Sequence, residues 1–257
     1  MKISLFETVK HSDEVYQALK SSFEFLKNNN DISYCENPNE ADFIISFGGD
    51  GTLLDCFQKF SSKKIIPIRD YNQCNNHLNL IPQINELFVE DSYEYKDILL
   101  INSSNSLYGK GLSEFIIRNE DLSKAIRFDI LINEKMYAKN CIGDGIILST
   151  SLGSTGYFKN ITRMFFTQGM GIAFLNNAQN LVNMILTEDT KVSIVLKRGD
   201  AKSALDHHRF EFPENTKIDI SFAKEKATLI GYKKNFMCEK CRNERHSAYV
   251  NDFFKII

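Results

Sequence analysis

Phe47-Gly48-Gly49-Asp50-Gly51-Thr52-Leu53-Leu54 is the stretch that decides the fold of this chain. It follows the apolar run Phe43-Ile44-Ile45, which predicts a short buried strand, and it leads into an apolar-periodic segment over residues 53–60, which predicts a helix. Glycines let the backbone approach an anion closely, and unpaired N–H groups at a helix N-terminus point at that anion. The order of strand, glycine turn and helix therefore predicts a phosphate-binding turn in an α/β domain.

Asp50 is the unusual residue of this turn, because a carboxylate repels phosphate unless it has a chemical role. At such a place it can take a proton from an attacking hydroxyl or hold a metal ion. The alternative is a tight turn in which Asp50 only caps the helix. The run of small and polar residues directly after a buried strand favours the phosphate-binding interpretation.

The composition is that of a globular chain with no strong charge bias. Its 257 residues are 43% hydrophobic and 25% charged, and they suffice for one large or two ordinary domains. The formal net charge of -2 gives no overall field that attracts nucleic acid or an acidic membrane. No apolar run approaches the roughly 18 residues of a membrane span, and residues 1–6 are too short for a signal peptide. We therefore expect a cytoplasmic protein with no nucleic-acid or membrane partner.

The character of the sequence changes near residue 97, which predicts two domains. Up to that point, strands at 2–6, 43–47 and 64–68 alternate with helical patterns, including those at 15–26 and 79–90, and this order predicts a parallel sheet covered by helices. Beyond it, short strand-like runs separated by turn residues predict a β-rich domain packed as a sandwich. These runs lie at 97–102, 115–117, 127–132, 145–148, 192–196, 209–212 and 217–222.

A second stretch, rich in hydroxyl groups, is Gly-Asp-Gly-Ile-Ile-Leu-Ser-Thr-Ser-Leu-Gly-Ser-Thr-Gly-Tyr at 143–157. A predicted strand over 145–149 leads into a loop dense in hydroxyls and backbone donors, and Asp144 stands just before the strand. Such a loop can hold a polyphosphate or the diol of a ribose without a lysine. Taken alone, it is equally compatible with an ordinary Ser/Thr/Gly turn.

Together, the two motifs resemble those of the NAD kinase family, and the likeness covers nearly the whole chain. That family phosphorylates the 2′-hydroxyl of the adenosine ribose of NAD with ATP, sometimes with polyphosphate, and a divalent metal ion. The resemblance implies a transferase with an N-terminal Rossmann-like three-layer α/β domain of residues 1–97 and a C-terminal β-sandwich-like domain of residues 98–234. It also implies that segment 235–257 returns to the first domain, that the active site lies between the domains, and that the protein is a homodimer or homotetramer.

The resemblance also implies a role for each motif residue. Asp50 would be the general base on the ribose hydroxyl, a role that suits a carboxylate in this turn. The donor phosphates of ATP, with Mg2+, would be held by Gly48, Gly49, Gly51 and Thr52. The NAD site would be lined by Ser113, Glu114, Asp144, Ser154, Thr155, Gly156 and Tyr157.

The chain departs from the family pattern at several places. The family's Asn-Glu pair is Ser113-Glu114 here, and because serine lacks an amide, that NAD contact is either lost or bridged by water. The family's Thr-Pro-Thr-Gly is Thr150-Ser151-Leu152-Gly153, and its usual alanine is Gly156. Arg69-Asp70-Tyr71-Asn72 stands where an Asn-x-Gly turn normally follows the third strand. These changes predict a divergent member.

Two pairs of potential zinc ligands are spaced by two residues each. Cys74 with His77 and Cys238 with Cys241 make a Cys3His set, which is typical of a closed structural zinc site with no open position for catalysis. The return of the C-terminal segment implied by the resemblance would bring the pairs together. The alternative is a chance C-x-x-C near the C-terminus and an unrelated Cys-x-x-His.

Two other functions stay open at this point. Diacylglycerol and sphingosine kinases share a Gly-Gly-Asp-Gly-Thr turn before a β-rich domain, although the loop at 149–157 favours NAD and no membrane-binding stretch favours lipid. A nucleotide-binding regulator that has lost catalysis would account for the replaced asparagine, whereas the intact Asp50 argues against it.

Overall fold

The computed structural model describes residues 1–8, 17, 21, 24, 28, 33–69, 93–103, 106–121, 123–199 and 201–232. The chain divides into two compact units, one of residues 1–95 with 228–257 and one of residues 96–227. The helix predicted at 79–90 and segment 235–257 lie outside the described residues, as does most of the helical pattern at 15–26.

Strands dominate both units. In chain order they are β1 Lys2–Phe6, β2 Ser33–Tyr34, β3 Phe43–Phe47, β4 Lys64–Ile68, β5 Tyr93–Lys96, β6 Leu99–Ser103, β7 Ser106–Gly111, β8 Glu114–Asn119, β9 Ile126–Ile132, β10 Lys135–Gly143, β11 Gly145–Ser149, β12 Met170–Leu175, β13 Met184–Leu186, β14 Val192–Arg198, β15 Ala201–Leu205, β16 His208–Glu211, β17 Lys217–Phe222 and β18 Ala227–Ile230. The described helices are α1 Asp50–Lys59 and α2 Tyr157–Thr162, with 3-10 turns at Pro38–Glu40 and Gly153–Thr155. No helix in the described part of the chain is long and apolar enough to cross a membrane.

A six-stranded sheet forms the first unit, in the order β2-β1-β3-β4-β18-β5. The pairs β1–β2, β1–β3, β3–β4 and β4–β18 are parallel, which confirms the parallel sheet predicted from the sequence. Ile3, Ile45, Phe47, Ile66 and Ile230 belong to one buried apolar cluster of this unit. Because β3 and β4 are neighbours and parallel, the chain segments that follow them leave the sheet at the same edge.

Strand β18 joins the first sheet by pairing Leu229 with Ile65 of β4. The chain therefore enters this sheet at residue 227, before the expected position of 235. Four residues are too few for a hydrophobic period to be visible, so the sequence predicts no strand there. The domain bounds of 1–97 and 98–234 otherwise stay a prediction.

Two six-stranded sheets form the second unit, in the orders β10-β9-β14-β17-β6-β7 and β13-β12-β11-β8-β15-β16. All their neighbouring strands are antiparallel. Buried side chains of both sheets, such as Phe115, Ile146, Phe128, Ile194 and Ile220, form a single apolar cluster. Two antiparallel sheets that share one core are a β-sandwich, so the predicted architecture of this unit is confirmed.

Candidate active site

The glycine turn lies between the carboxyl end of β3 and the start of α1. Gly48 has a φ of 150°, and a Cβ there would collide with the hydroxyl oxygen of Thr52, so the position requires glycine. The Gly48 N–H donates to the carbonyl of Ile68 at 2.9 Å, which ties the turn to the end of β4. The local sequence thus fixes a sharp exit from the sheet directly into a helix.

The first turn of α1 presents backbone donors. Gly49 is the N-cap residue, no side chain caps the helix, and the first helical bond runs from the Leu53 N–H to the Gly49 carbonyl at 3.2 Å. The N–H groups of Asp50, Gly51 and Thr52 precede that bond, so they have no acceptor within the helix. This geometry suits an anion such as a phosphate.

Thr52 has its hydroxyl engaged elsewhere. Its Oγ1 lies 2.8 Å from Oγ1 of Thr8, which stands two residues beyond β1, and Thr52 is buried. The backbone N–H of Thr52, rather than its hydroxyl, is therefore the group available to a phosphate in this structure.

Asp50 is held by a buried arginine. Nη2 of Arg69 donates to Oδ1 of Asp50 at 3.0 Å, and the two side chains are 8% and 67% exposed, respectively. Arg69 directly follows β4, so it reaches the turn from the neighbouring strand of the sheet. The guanidinium charge offsets the repulsion that the Asp50 carboxylate would exert on a bound phosphate. The sequence motifs do not predict this contact, although an arginine directly after a buried strand at the same sheet edge is a usable signal.

In the second unit, the structure brings Ser113 and Glu114 against the start of the hydroxyl-rich loop. The Thr150 N–H donates to the Ser113 carbonyl at 2.9 Å, and the Thr150 hydroxyl donates to the Leu112 carbonyl at 2.8 Å. A Cβ at Gly153 would collide with the Ser113 carbonyl, so the close approach needs a glycine. The two predicted NAD-binding stretches therefore meet at the end of β11.

Glu114 carries a buried carboxylate oxygen, Oε2, that has no hydrogen-bond partner among the described residues. Burial, and then the negative charge of Asp206, raise the pKa of Glu114 to about 7, although the backbone N–H of Phe158 opposes the shift. Buried polar atoms are rarely left unpaired, so this oxygen is a candidate acceptor for a donor group of a ligand.

The other loop residues differ in what they offer to a ligand. Ser154 is fully buried, and its hydroxyl lies 2.7 Å from the Ser151 carbonyl and accepts from the Phe166 N–H at 3.2 Å. Gly156 is exposed and Thr155 is half-buried. The hydroxyl of Tyr157 accepts from Nη1 of Arg118 at 3.3 Å.

Asp144 lies at the opposite end of β11 from Glu114. Its Oδ2 accepts from Nδ2 of Asn176 at 3.1 Å, and it is half-buried. Glu114 pairs with Ser149 at the far end of the strand, so about 17 Å of backbone separates Asp144 from Glu114 along β11. The structure therefore does not bring Asp144 together with Ser113 and Glu114.

Two metal ions are predicted from the sequence, a structural zinc ion and the Mg2+ ion that accompanies ATP. The zinc ligands Cys74, His77, Cys238 and Cys241 lie outside the described residues, so zinc stays a prediction. In the described ranges, no group of three or more His, Cys, Asp or Glu is placed to hold a metal ion. A Mg2+ ion that accompanies ATP needs only one or two carboxylates beside the phosphates. Asp50 places one exposed carboxylate in the glycine turn.

The chain is similar in sequence to proteins named NAD kinase. It is 26% identical over 254 residues to that of Streptococcus gordonii, which is 89% of each chain, and 27% identical over 237 residues to that of Lactobacillus acidophilus, which is 82% of this chain and 86% of the relative. It is 30% identical over 126 residues to that of Clostridium perfringens, so the match spans 45% of the length of that relative. No family model matches the chain.

Solved structures show the same fold. An NAD kinase from Archaeoglobus fulgidus in complex with ATP has a TM-score of 0.72 at 17% identity, covering 92% of this chain and 96% of that chain. Yeast NADH kinase complexed with NADH has a TM-score of 0.70 at 11% identity, covering 91% of this chain and 86% of that chain.

A parallel sheet in one unit and a β-sandwich in the other make up the fold that this chain shares with the two solved structures. The relatives that match it in sequence are named NAD kinase. The chain resembles the NAD kinases over most of its length, and its identity of 26% to 27% to these relatives marks it as a divergent sequence. The fold predicted from the sequence is confirmed, and the predicted resemblance to NAD kinases is borne out by these relatives.

Proposed function

We propose that this protein transfers the γ-phosphoryl group of ATP to the 2′-hydroxyl of the adenosine ribose of NAD, giving NADP and ADP. The observation that carries the proposal is the exposed carboxylate of Asp50, held by Arg69 beside N–H groups that have no acceptor within their helix. The relatives named NAD kinase and the neighbours solved with ATP and NADH support it.

Asp50 acts as the general base. Its Oδ1 accepts from Arg69, so Oδ2 takes the proton of the 2′-hydroxyl while the hydroxyl oxygen attacks the γ-phosphorus and the bond to the β-phosphate oxygen breaks. The N–H groups at the start of α1 hold the phosphate oxygens, and Arg69 offsets the negative charge of the base. When bound with ATP, Mg2+ would neutralise charge on the phosphates, and Asp50 would serve it only as a nearby negative charge, because its Oδ1 accepts from Arg69 and its Oδ2 takes the proton.

The second unit supplies the groups that bind NAD. The Oε2 atom of Glu114 accepts a hydrogen bond from a hydroxyl or amide of the dinucleotide, and the half-buried Thr155 and the exposed Gly156 of the hydroxyl-rich loop offer a hydroxyl and backbone groups. The hydroxyl of Ser154 stabilises the loop and does not contact the ligand, since its hydrogen bonds are made within the protein.

The position of Asp144 supports a shared NAD site in a homodimer or homotetramer. Because about 17 Å of strand separates Asp144 from Glu114, we propose that Asp144 serves the NAD molecule bound to a second copy of the chain.

An acceptor assay tests the proposal against its alternatives. The purified protein is incubated with ATP and Mg2+ and, in separate reactions, with NAD, diacylglycerol or sphingosine. We expect NADP from NAD and no phosphorylated lipid. A lipid product without NADP would establish the lipid-kinase alternative, and ATP binding without any product would establish the regulator.

A further inference from the structure

The tight turn between β15 and β16 directs one carboxylate against the backbone before β8. Asp206 accepts three consecutive backbone N–H groups, with its Oδ2 2.7 Å from the nitrogen of Leu112 and its Oδ1 2.9 and 3.0 Å from those of Ser113 and Glu114. In return, the Asp206 N–H donates to the carbonyl of Glu114 at 2.9 Å. One residue thus makes four hydrogen bonds to three consecutive residues that lie more than ninety positions away in sequence.

The backbone of Asp206 is adapted to this contact. Its φ of 52° lies in the left-handed region, which aspartate tolerates better than most residues. Burial raises the pKa of the Asp206 carboxyl, whereas its three N–H donors, led by that of Leu112, lower it. A left-handed backbone and a buried carboxylate are both unfavourable. Their combination at Asp206 indicates that the turn serves to make the contact with residues 112–114.

The bend formed by residues 112–114 is bound from its other side as well. Its N–H groups are taken by Asp206, whereas the carbonyls of Leu112 and Ser113 are taken by Thr150 at the start of the hydroxyl-rich loop. The backbone of the bend is therefore satisfied from two directions. Oε2 of the Glu114 side chain is the buried polar atom of the bend that has no hydrogen-bond partner among the described residues.

We propose that Asp206 is a positioning residue for NAD binding: it fixes the bend at 112–114 and thereby holds the Glu114 carboxylate where the dinucleotide meets it. The assignment of NAD as the ligand rests on the proposed function above. The fixing of the bend rests on the four hydrogen bonds alone.

Amide hydrogen exchange tests whether the bend is fixed, independently of any activity. In the wild type, we expect slow exchange at the N–H groups of Leu112, Ser113 and Glu114. Asp206→Asn leaves one oxygen for three donors, so exchange at these amides should accelerate by about tenfold or more. Asp219→Asn is the matched control, because Asp219 is a hydrogen-bonded carboxylate of the other sheet, and it should leave these amides unchanged.

Steady-state kinetics then tests the positioning role. For Asp206→Asn, we expect the KM for NAD to rise by about 10- to 100-fold, while the KM for ATP changes by less than about twofold. Faster exchange without a change in the KM for NAD would overturn the positioning role, and unchanged exchange would overturn the proposal entirely.

The proposal can still be tested if the wild type forms no NADP or if Asp206→Asn does not fold. If the wild type forms no NADP, the proposed function fails, whereas the exchange rates still judge whether Asp206 fixes the bend. If Asp206→Asn does not fold, Asp206→Glu replaces it, since the charge is kept and moved by one methylene. Unchanged exchange and an unchanged KM for NAD in Asp206→Glu would overturn the proposal.

Discussion

The glycine turn of the first unit and the bend at 112–114 of the second unit each present a carboxylate, in opposite surroundings. Asp50 is 67% exposed and is paired with an arginine. Glu114 has a buried oxygen with no hydrogen-bond partner in the described residues, and burial raises its pKa to about 7. The same functional group is thus prepared for two tasks by its environment. An accessible, ion-paired carboxylate suits proton transfer, whereas a buried, unpaired oxygen suits recognition of a ligand donor.

Glu114→Gln tests how much the buried carboxylate lowers the free energy of unfolding. Because the folded-state pKa is raised from 4.5 to about 7, the stability tied to the Glu114 proton is present below about pH 4.5 and is lost as the pH rises through about 7. The loss amounts to at most about 3 kcal/mol. We therefore expect urea denaturation to show Glu114→Gln more stable than the wild type at pH 8 and nearly equal at pH 5.

Glu211→Gln, which changes an exposed glutamate of β16, is the control for this experiment. A stability difference for Glu114→Gln that is the same at both pH values would show that burial does not perturb this carboxylate. The contrast between the two regions would then disappear.

Gly48→Ala tests the backbone of the glycine turn. The added Cβ meets Thr52 at a φ of 150°, so we expect unfolding to become easier by about 1–3 kcal/mol. The double variant Gly48→Ala/Thr52→Ala removes the collision but not the strained φ, and it should recover only part of this loss. Full recovery in thermal unfolding would show that the backbone conformation carries no cost.

Arg69→Gln tests whether the ion pair matters for Asp50. We expect kcat to fall by about tenfold, because the base loses its anchor and the turn loses a positive charge, and Arg69→Lys should retain more activity. Lys63→Gln is the control, since Nζ of Lys63, in the same unit, donates to the carbonyls of Asn39 and Ala41. Equal kcat values for the Arg69→Gln and Lys63→Gln variants would remove Arg69 from the mechanism.

The sequence predicts the elements that have a clear hydrophobic pattern. Strands β1, β3 and β4 are short segments made mostly of apolar residues, and their observed bounds are the predicted ones. Strand β10 goes unpredicted because it is mostly exposed and two register shifts break its alternation. Strand β15 reads Ala-Lys-Ser-Ala-Leu, which has little β propensity. In β12, Gly171 stands where a Cβ would collide with Phe158 and Phe166, so a packing requirement interrupts the apolar run.

The residues of the candidate site also divide into those that the sequence predicts and those that it does not. Asp50 can be predicted from the sequence because the glycines and the helix that form its turn are its neighbours in the chain. The chemistry of such a turn depends on those neighbours. Arg69 and Asp206 are not visible, because each acts on a residue that only the sheet topology brings near. Asp206 lies 92 residues from Glu114, and no spacing rule connects them. The catalytic and binding roles of the motif residues stay predictions until variants are measured.

The rate of NADP formation by Asp50→Asn tests the central claim most directly. The amide keeps the size of the side chain and removes the base, so we expect kcat to fall by about 100-fold or more with the KM for NAD nearly unchanged. Asp55→Asn, five residues along the same helix, should keep nearly the full rate. An Asp50→Asn variant that forms NADP as fast as Asp55→Asn would contradict the assignment of Asp50 as the base.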